Sequence, residues 1–204
     1  MKIAVLSNEH SFSELSSLSE TIEWKKINSF EDLIQYSDAG ALFNLYDDAV
    51  ENDYSSTSLP VFINCVNDTL SNKKHPNNVV RMNGWNGFIK RSSWELSGTL
   101  STKHIEILEK LNTKFCLLPD EIGFIAPRII AMIINEAFFA KEQQVSTEAE
   151  IDIAMKLGTN YPKGPFEWMN EIGIKNIYEL LRQLSKEDKR YQPSALLEKE
   201  VLSS

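Results

Sequence analysis

The sequence predicts an α/β domain followed by an all-helical domain, and two patterns of apolar residues support this. In the first half, short apolar runs alternate with Ser-rich amphipathic stretches, a pattern typical of buried parallel strands with helices packed on them. In the second half, apolar residues recur at helical spacing throughout. The change falls near Pro119, so we expect domains over residues 1–118 and 119–204.

The predicted elements of the first half follow from these runs. Strands are expected over residues 2–6, 39–46, 59–66, 79–82 and 115–118. Helices are expected over residues 12–20, 28–36 and 102–111.

The second half carries helix-start and helix-stop signals. Residues 124–141 are apolar on most of their circumference, which predicts a core helix buried on several sides. Thr147 and Glu150 have the spacing of a capping box. The remaining signals are glycines expected to end helices and prolines expected in first turns: Gly158, Gly173, Pro165 and Pro193.

Composition excludes several classes of protein. The chain has 204 residues, 42% of them hydrophobic, enough for a core. A net charge of -8 argues against a nucleic-acid partner, because phosphate binding needs clustered Lys and Arg. No apolar run is long enough to predict a signal peptide or a membrane span. Cys65 and Cys116 lie in apolar runs without metal-ligand spacing, which predicts small buried side chains and a reducing cytoplasm.

Several motifs of the second half resemble the C-terminal domain of 3-hydroxyacyl-CoA dehydrogenases. The resemblance is carried by Asp120-Glu-Ile-Gly-Phe-Ile-Ala-Pro-Arg-Ile-Ile, Tyr161-Pro-Lys-Gly-Pro-Phe-Glu, Gly173, Asn135-Glu-Ala, Ile151-Asp and Asp188-Lys-Arg-Tyr, in family order and spacing. It covers residues 111–203 and fades upstream. It implies a shortened Rossmann-like N-terminal domain, and a homodimer formed through residues 119–204, since family members pair through this domain.

The dinucleotide-binding turn that the resemblance implies is degenerate. A Rossmann fold needs G-x-G-x-x-G after its first strand, so that the backbone can approach the diphosphate. Those positions fall here on Ser7, Glu9 and Phe12. The interval to the next matching strand is also short, and Glu23 is the nearest candidate for the acidic residue that holds the ribose. We therefore predict no ordinary NAD site, although NAD is the cofactor of the family.

The family's catalytic pair is only half retained. Its base is a histidine in a G-x-H-F-F-N-P segment, and a downstream glutamate orients that histidine. The corresponding segment here places Asn83 at the base position and retains Glu95 as the glutamate. An amide has no nitrogen that accepts a proton at neutral pH, so Asn83 cannot act as the base.

The other positions that the resemblance implies are partly kept. Asn86 matches the family asparagine of this segment, and Asn67 or Asp68 falls where the family has a substrate-binding serine. A further family asparagine falls on Pro127. The histidines of the chain are expected to be exposed structural residues: His10, His75 and His104.

Three hypotheses for the function follow. The first is a degenerate relative of the dehydrogenases, which survives as a dimerising or acyl-CoA-binding module. The second is an active oxidoreductase of the same class with an atypical cofactor site. The third is an interaction protein, for instance one that partners an intact dehydrogenase.

Overall fold

The computed structural model describes residues 1–203 and divides the chain into two compact units, one ending at Phe124 and the other beginning at Ile125. The strands of the first unit are β1 (Lys2–Leu6), β2 (Glu23–Ile27), β3 (Ala41–Asn44), β4 (Val61–Asn64), β5 (Val79–Met82), β6 (Ser93–Gly98) and β7 (Lys114–Leu117). Its helices are α1 (Glu9–Ser16), α2 (Phe30–Gln35), α3 (Leu70–Lys73) and α4 (Thr102–Lys110), with a 3-10 turn at Ala49–Glu51.

The strands form one sheet in the order β2-β1-β3-β4-β5-β6-β7, and all neighbours are parallel except β5 and β6. The chain moves outward from β1 to β2 and then returns to the other side of β1 for β3. This reversal is the topological switch point of a doubly wound fold, where ligands of open α/β sheets bind at the carboxyl ends of the strands. The side beyond the switch point holds β2 alone, so the sheet is shortened there.

Alternating residues of the strands bury both faces of this sheet. Ile3, Val5 and Phe43 pack on one face, whereas Ala4 and Leu42 pack on the other. This is the two-residue period of a strand covered on both sides. The predicted α/β class is therefore confirmed, and β5 has the predicted bounds. Strands β2 and β6 were missed, because polar residues interrupt their apolar pattern.

The second unit is helical: α5 (Ile125–Glu142), α6 (Glu148–Thr159), α7 (Pro165–Ile172), α8 (Ile174–Leu184) and α9 (Ala195–Leu202), with a 3-10 turn at Lys189–Tyr191. Helix α5 contacts each of the other four helices of this unit. The prediction of a core helix is confirmed. Buried Asn135 of α5 donates to the Gln192 carbonyl and accepts the Ser194 amide, at 2.9 Å each, which fixes the start of α9.

The predicted helix signals were partly correct. The Thr147–Glu150 capping box is present, Pro165 is in the first turn of α7, and Gly173 ends that helix with φ 98°. Two expectations were wrong. Gly158 lies inside α6, and Asn160 takes the left-handed conformation at its end, because an asparagine tolerates that conformation. Pro193 precedes Ser194, whose hydroxyl caps α9, so this proline lies outside the helix.

Candidate functional site

The turn between β1 and α1 is capped by the chain's own side chains. The Asn8 side chain accepts the Ser11 amide at 2.9 Å, so one of the free amides at the start of α1 is already satisfied. Ser7 is buried, and Phe12 packs against the hydrophobic core below the sheet. In a dinucleotide-binding turn the third glycine lets the helix pack closely on the strand, and Phe12 places a large side chain at that position.

Charges around this turn are also internally paired. Glu9 is the first residue of α1, and its carboxylate forms an ion pair with Lys26 near the carboxyl end of β2. Glu23, the sequence candidate for holding a ribose, begins β2 and pairs in register with Lys2. It lies at the amino end of the strand, so it cannot reach the switch point. Near the carboxyl end of β2, Lys26 pairs with Glu9, and the last residue of the strand is the apolar Ile27.

These residues do not fit the diphosphate of a dinucleotide. The family's turn offers free backbone amides and no side chains, whereas this turn offers a capped amide and the carboxylate of Glu9. The Glu9 carboxylate occupies that position, and Lys26, the cation beside it, is paired with Glu9 rather than left to bind a phosphate. No step of a reaction is therefore assigned to a nicotinamide cofactor.

Asn83 and Glu95 lie side by side just beyond the carboxyl end of β5. Asn83 follows β5, and its Nδ2 donates to Glu95 Oε2 over 3.0 Å. Antiparallel pairing of β5 and β6 sets this distance, since the Asn83 amide also donates to the Glu95 carbonyl. Asn83 is 3% exposed, and Glu95 is half-buried. The pair forms a hydrogen bond, but Asn83, at the position of the family's histidine, has no nitrogen that takes up a proton from a hydroxyl.

The remaining predicted positions occupy the same region of the N-terminal unit or serve packing. Asn86 is half-buried, and its Oδ1 accepts from Ser11 Oγ of α1 at 3.3 Å. Asn67 is half-buried in the segment that follows β4. The neighbouring Asp68 is used locally, because its Oδ1 accepts from the Thr69 amide at 2.7 Å. Pro127 is buried in the first turn of α5, where the missing N–H costs no helical hydrogen bond.

A buried arginine that the sequence reasoning missed organises the segment leading to the helical unit. The fully buried Arg81 of β5 donates from Nε to Asp120 Oδ1 at 2.7 Å, and its guanidinium carbon lies 4.4 Å from the centre of the Phe124 ring. Asp120 also accepts the amides of Leu70 and Ser71 at 3.2 and 2.9 Å. Burial by itself would raise the pKa of Asp120, but these amides, the Ser71 hydroxyl and Arg81 lower it on balance. The sequence signal that could have predicted this interaction is the charged Arg81 inside the otherwise apolar run of β5.

Two expectations about histidine and cysteine were wrong. His104 is fully buried rather than exposed, because its Nδ1 accepts the Ser101 amide at 3.2 Å in the capping box of α4. Cys116 is exposed, because β7 is the edge strand and its residues are uncovered. Cys65 is buried as predicted, and burial raises its thiol pKa to about 12, which is far from a reactive thiolate.

Residues 1–203 contain neither a metal-binding cluster nor a membrane-spanning helix. No cluster of three His, Cys, Asp or Glu side chains is placed to hold a metal ion in this part of the chain. Within the same residues, no helix combines the length and the apolar character needed to cross a bilayer.

Comparison with solved structures shows which known fold the chain has. Over 99% of its length the chain superimposes on 93% of a solved structure of (S)-3-hydroxybutyryl-CoA dehydrogenase from Ralstonia eutropha, with a TM-score of 0.69 and 17% identity. At this identity the likeness concerns the fold: a Rossmann-like sheet followed by a helical domain, as predicted.

Sequence comparison gives a more specific similarity than the fold does. Residues 123–204 match the family model of the 3-hydroxyacyl-CoA dehydrogenase C-terminal domain. The chain is 38% identical over 102 residues to the 3-hydroxyadipyl-CoA dehydrogenase of Escherichia coli, covering 49% of this chain and 22% of that protein. It is 28% identical over 204 residues to the 3-hydroxybutyryl-CoA dehydrogenase of Clostridioides difficile, covering 92% of this chain and 71% of that protein. Residues 123–204 therefore match the C-terminal domain of the 3-hydroxyacyl-CoA dehydrogenase family, as the motifs of the second half predicted.

Proposed function

We propose that this chain is a family member that has lost NAD-dependent hydride transfer and acts as a dimerising, acyl-CoA-binding module. The observation that supports this most strongly is the Asn83–Glu95 pair. Oxidation of a hydroxyl requires a base that accepts its proton, and the amide of Asn83 has none to offer. The matched relatives are named for reactions on acyl-CoA, which is why an acyl-CoA is the proposed ligand.

The β1–α1 turn supports the loss of the cofactor. Asn8 occupies the amide of Ser11, and Glu9 with Lys26 places a neutralised carboxylate where a diphosphate would lie. We therefore expect NADH at millimolar concentration to give no binding isotherm in calorimetry. Micromolar affinity would instead support the second hypothesis, an active oxidoreductase with an atypical cofactor site.

Retained binding of an acyl-CoA is the positive part of the proposal. In calorimetry without any nicotinamide, we expect saturable binding of 3-hydroxybutyryl-CoA and no comparable signal from free CoA. If 3-hydroxybutyryl-CoA does not bind at all, the acyl-CoA part of the proposal fails. Recovery of an intact dehydrogenase in a pull-down from the native cell would then favour the interaction protein.

Dimerisation is supported by an apolar groove in the helical unit. The groove encloses about 360 Å³ and is lined mainly by α5 and α6 side chains: Met132, Ile133, Glu136, Ala137, Ala140, Ile151, Met155 and Pro165. On the same helices Ile129, Ile153 and Leu157 are 51, 53 and 83% exposed. Exposed apolar area of this kind marks an interaction surface, and the resemblance to family members makes a second copy of this chain the proposed occupant.

A further inference from the structure

Strands β2 and β7 are the two edges of the sheet, and they differ in the side chains that they expose. On β2 the exposed residues are Glu23 and Lys25, so charged side chains cover this edge. All four residues of β7 are exposed, and three of them in a row carry no charge: Phe115, Cys116 and Leu117. Charged side chains keep a sheet edge from pairing with a further strand. The β2 edge is thus protected, whereas the β7 edge is open to another strand.

The backbone groups of β7 alternate between the two sides of the strand. The amides of Lys114 and Leu118 donate to carbonyls of β6 at 2.9 and 2.8 Å. Because every second residue of a strand directs its backbone groups to the same side, Phe115 and Leu117 direct theirs away from β6. The exposed fractions of these two residues are 38 and 52%. The β7 edge therefore combines outward backbone donors and acceptors with apolar side chains.

We propose that the β7 edge pairs with the β7 edge of a second copy of this chain. Two copies related by a two-fold axis place these strands antiparallel, so that their outward residues exchange backbone hydrogen bonds. The charges at the two ends of the strand favour this partner. Exposed Lys110 and Lys114 lie at the amino end of β7, and exposed Glu121 lies beyond its carboxyl end. Antiparallel pairing brings the basic end of each copy to the acidic end of the other.

One register pairs the outward residues best. With Phe115 opposite Leu117 of the second copy, both outward residues of each chain are paired. A shift that placed Phe115 opposite itself would pair Leu117 with Thr113, whose amide already donates to a carbonyl of α4 at 3.0 Å. A shift that placed Leu117 opposite itself would pair Phe115 with Pro119, which has no amide hydrogen. The favoured register therefore places Cys116 opposite Cys116 of the second copy.

The pairing is small, so its affinity is low. A contact of a four-residue strand is far below the roughly 20–30 residues a side of a stable interface, which corresponds to a Kd of about 0.1–1 mM. It lies in the N-terminal unit and adds to the dimer proposed through the helical unit. It joins chains only when they are concentrated.

Cys116 reports the register directly. Opposite residues of a pair without backbone hydrogen bonds have Cα atoms about 4.5 Å apart, within the range of about 4.4–6.8 Å that a disulfide spans. With copper–phenanthroline as the oxidant of the two thiols, the full chain at millimolar concentration should form a dimer linked through Cys116, identified by mass spectrometry of the joined peptides. The control is Lys25→Cys in a Cys116→Ser background, which moves the thiol to the exposed β2 edge. We expect Cys116 to link at least about tenfold faster, because pairing holds its two thiols at a high effective concentration.

Leu117→Lys tests the same surface without thiol chemistry. Leu157→Glu is the background, because it removes the proposed helical interface and leaves the β7 edge. In sedimentation velocity, the average mass of Leu157→Glu should rise from one chain towards two between micromolar and millimolar concentration. Adding Leu117→Lys should weaken this association at least about tenfold, because it puts a lysine opposite each Phe115. Adding Leu202→Lys instead, at an exposed leucine of α9, should leave the association unchanged.

Three results would overturn the pairing of the β7 edges. The first is linking of Cys116 no faster than that of the Lys25→Cys control. The second is a Leu157→Glu protein that stays a single chain at millimolar concentration. The third is concentration-dependent association that Leu117→Lys leaves unchanged. If Leu117→Lys does not fold, as judged by circular dichroism, the comparison of the two thiols decides alone. The helical dimer is tested separately, by the mass of the wild type at micromolar concentration.

Discussion

Asp152 is the side chain whose removal we expect to destabilise the helical unit most clearly. This residue of α6 is 9% exposed and faces the first turn of α7. Its Oδ1 accepts the Phe166 amide at 2.8 Å, and its Oδ2 accepts the Glu167 amide at 3.2 Å. Amides in the first turn of a helix have no partner within the helix, so this carboxylate satisfies two of them.

The magnitude follows from these two bonds. A hydrogen bond to a charged acceptor contributes about 1.5–3 kcal/mol, and a carboxylate at a helix N-terminus adds about 0.3–1 kcal/mol. Asp152→Ala should therefore lower the free energy of unfolding by about 3–7 kcal/mol. This is a large part of the ~5–15 kcal/mol typical of a domain. Gly164→Ala should also destabilise, because a Cβ there would lie 2.3 Å from Asp152 Oδ1 and displace the carboxylate.

The measurement is urea unfolding followed by far-ultraviolet circular dichroism. Asp188→Ala is the matched control, because Asp188 accepts the Arg190 amide at 3.0 Å but stands exposed at a 3-10 turn. We expect that control to lose less than about 1 kcal/mol. If Asp152→Ala loses no more than Asp188→Ala, the reasoning about the buried helix start is wrong.

Three further predictions concern the base, a buried histidine and the dimer. Asn83→His should form no NADH from 3-hydroxybutyryl-CoA, because a base acts only on a substrate and cofactor that are held in place. The measurement is the absorbance of NADH, with an intact family enzyme assayed separately as the positive control. Clear turnover by Asn83→His would refute the loss of the cofactor site. Burial lowers the pKa of His104 below its usual 6.5, so the unfolded chain takes up a proton more readily than the folded one. The free energy of unfolding should therefore be unaffected by His104 above pH 6.5 and should decrease as the pH falls below it. His104→Gln should remove that decline in pH-dependent urea unfolding, whereas His10→Gln, at an exposed position, should keep it. Light scattering coupled to size exclusion should show that the wild-type protein is a dimer and that Leu157→Glu dissociates it. Leu202→Glu changes a similarly exposed leucine of α9 and should leave the dimer intact. A monomeric wild type would contradict the proposed interface.

The regular elements could be predicted where one local rule decided them. Val79–Met82 is an apolar run bounded by polar residues, and its strand has the predicted ends. Thr147 and Glu150 form the predicted capping box, because both partners lie within one turn. Strand β2 was missed because exposed Glu23 and Lys25 alternate with its more buried residues at the sheet edge. Its place in the sheet depends on pairing with β1, which propensity does not encode.

The candidate site was predictable residue by residue but not as an arrangement. The family motif placed Asn83 opposite Glu95, and the structure shows the hydrogen bond between them. The pairing of Arg81 with Asp120 joins residues far apart in the chain. Such contacts follow from strand order, which sets which ends lie side by side, and no local spacing reports them.

The sequence by itself determined which chemical groups are available to the site. Asn83 places an amide where the family has a base, and Glu9 places a carboxylate where the family has a glycine. Only the tertiary structure decided which of those groups are already used. It commits Glu9 to Lys26 and Asn83 to Glu95, and it buries His104 as a helix cap. The physical reason is that a side chain's type fixes which hydrogen bonds it can make, whereas its neighbours in space fix which of them remain for a ligand.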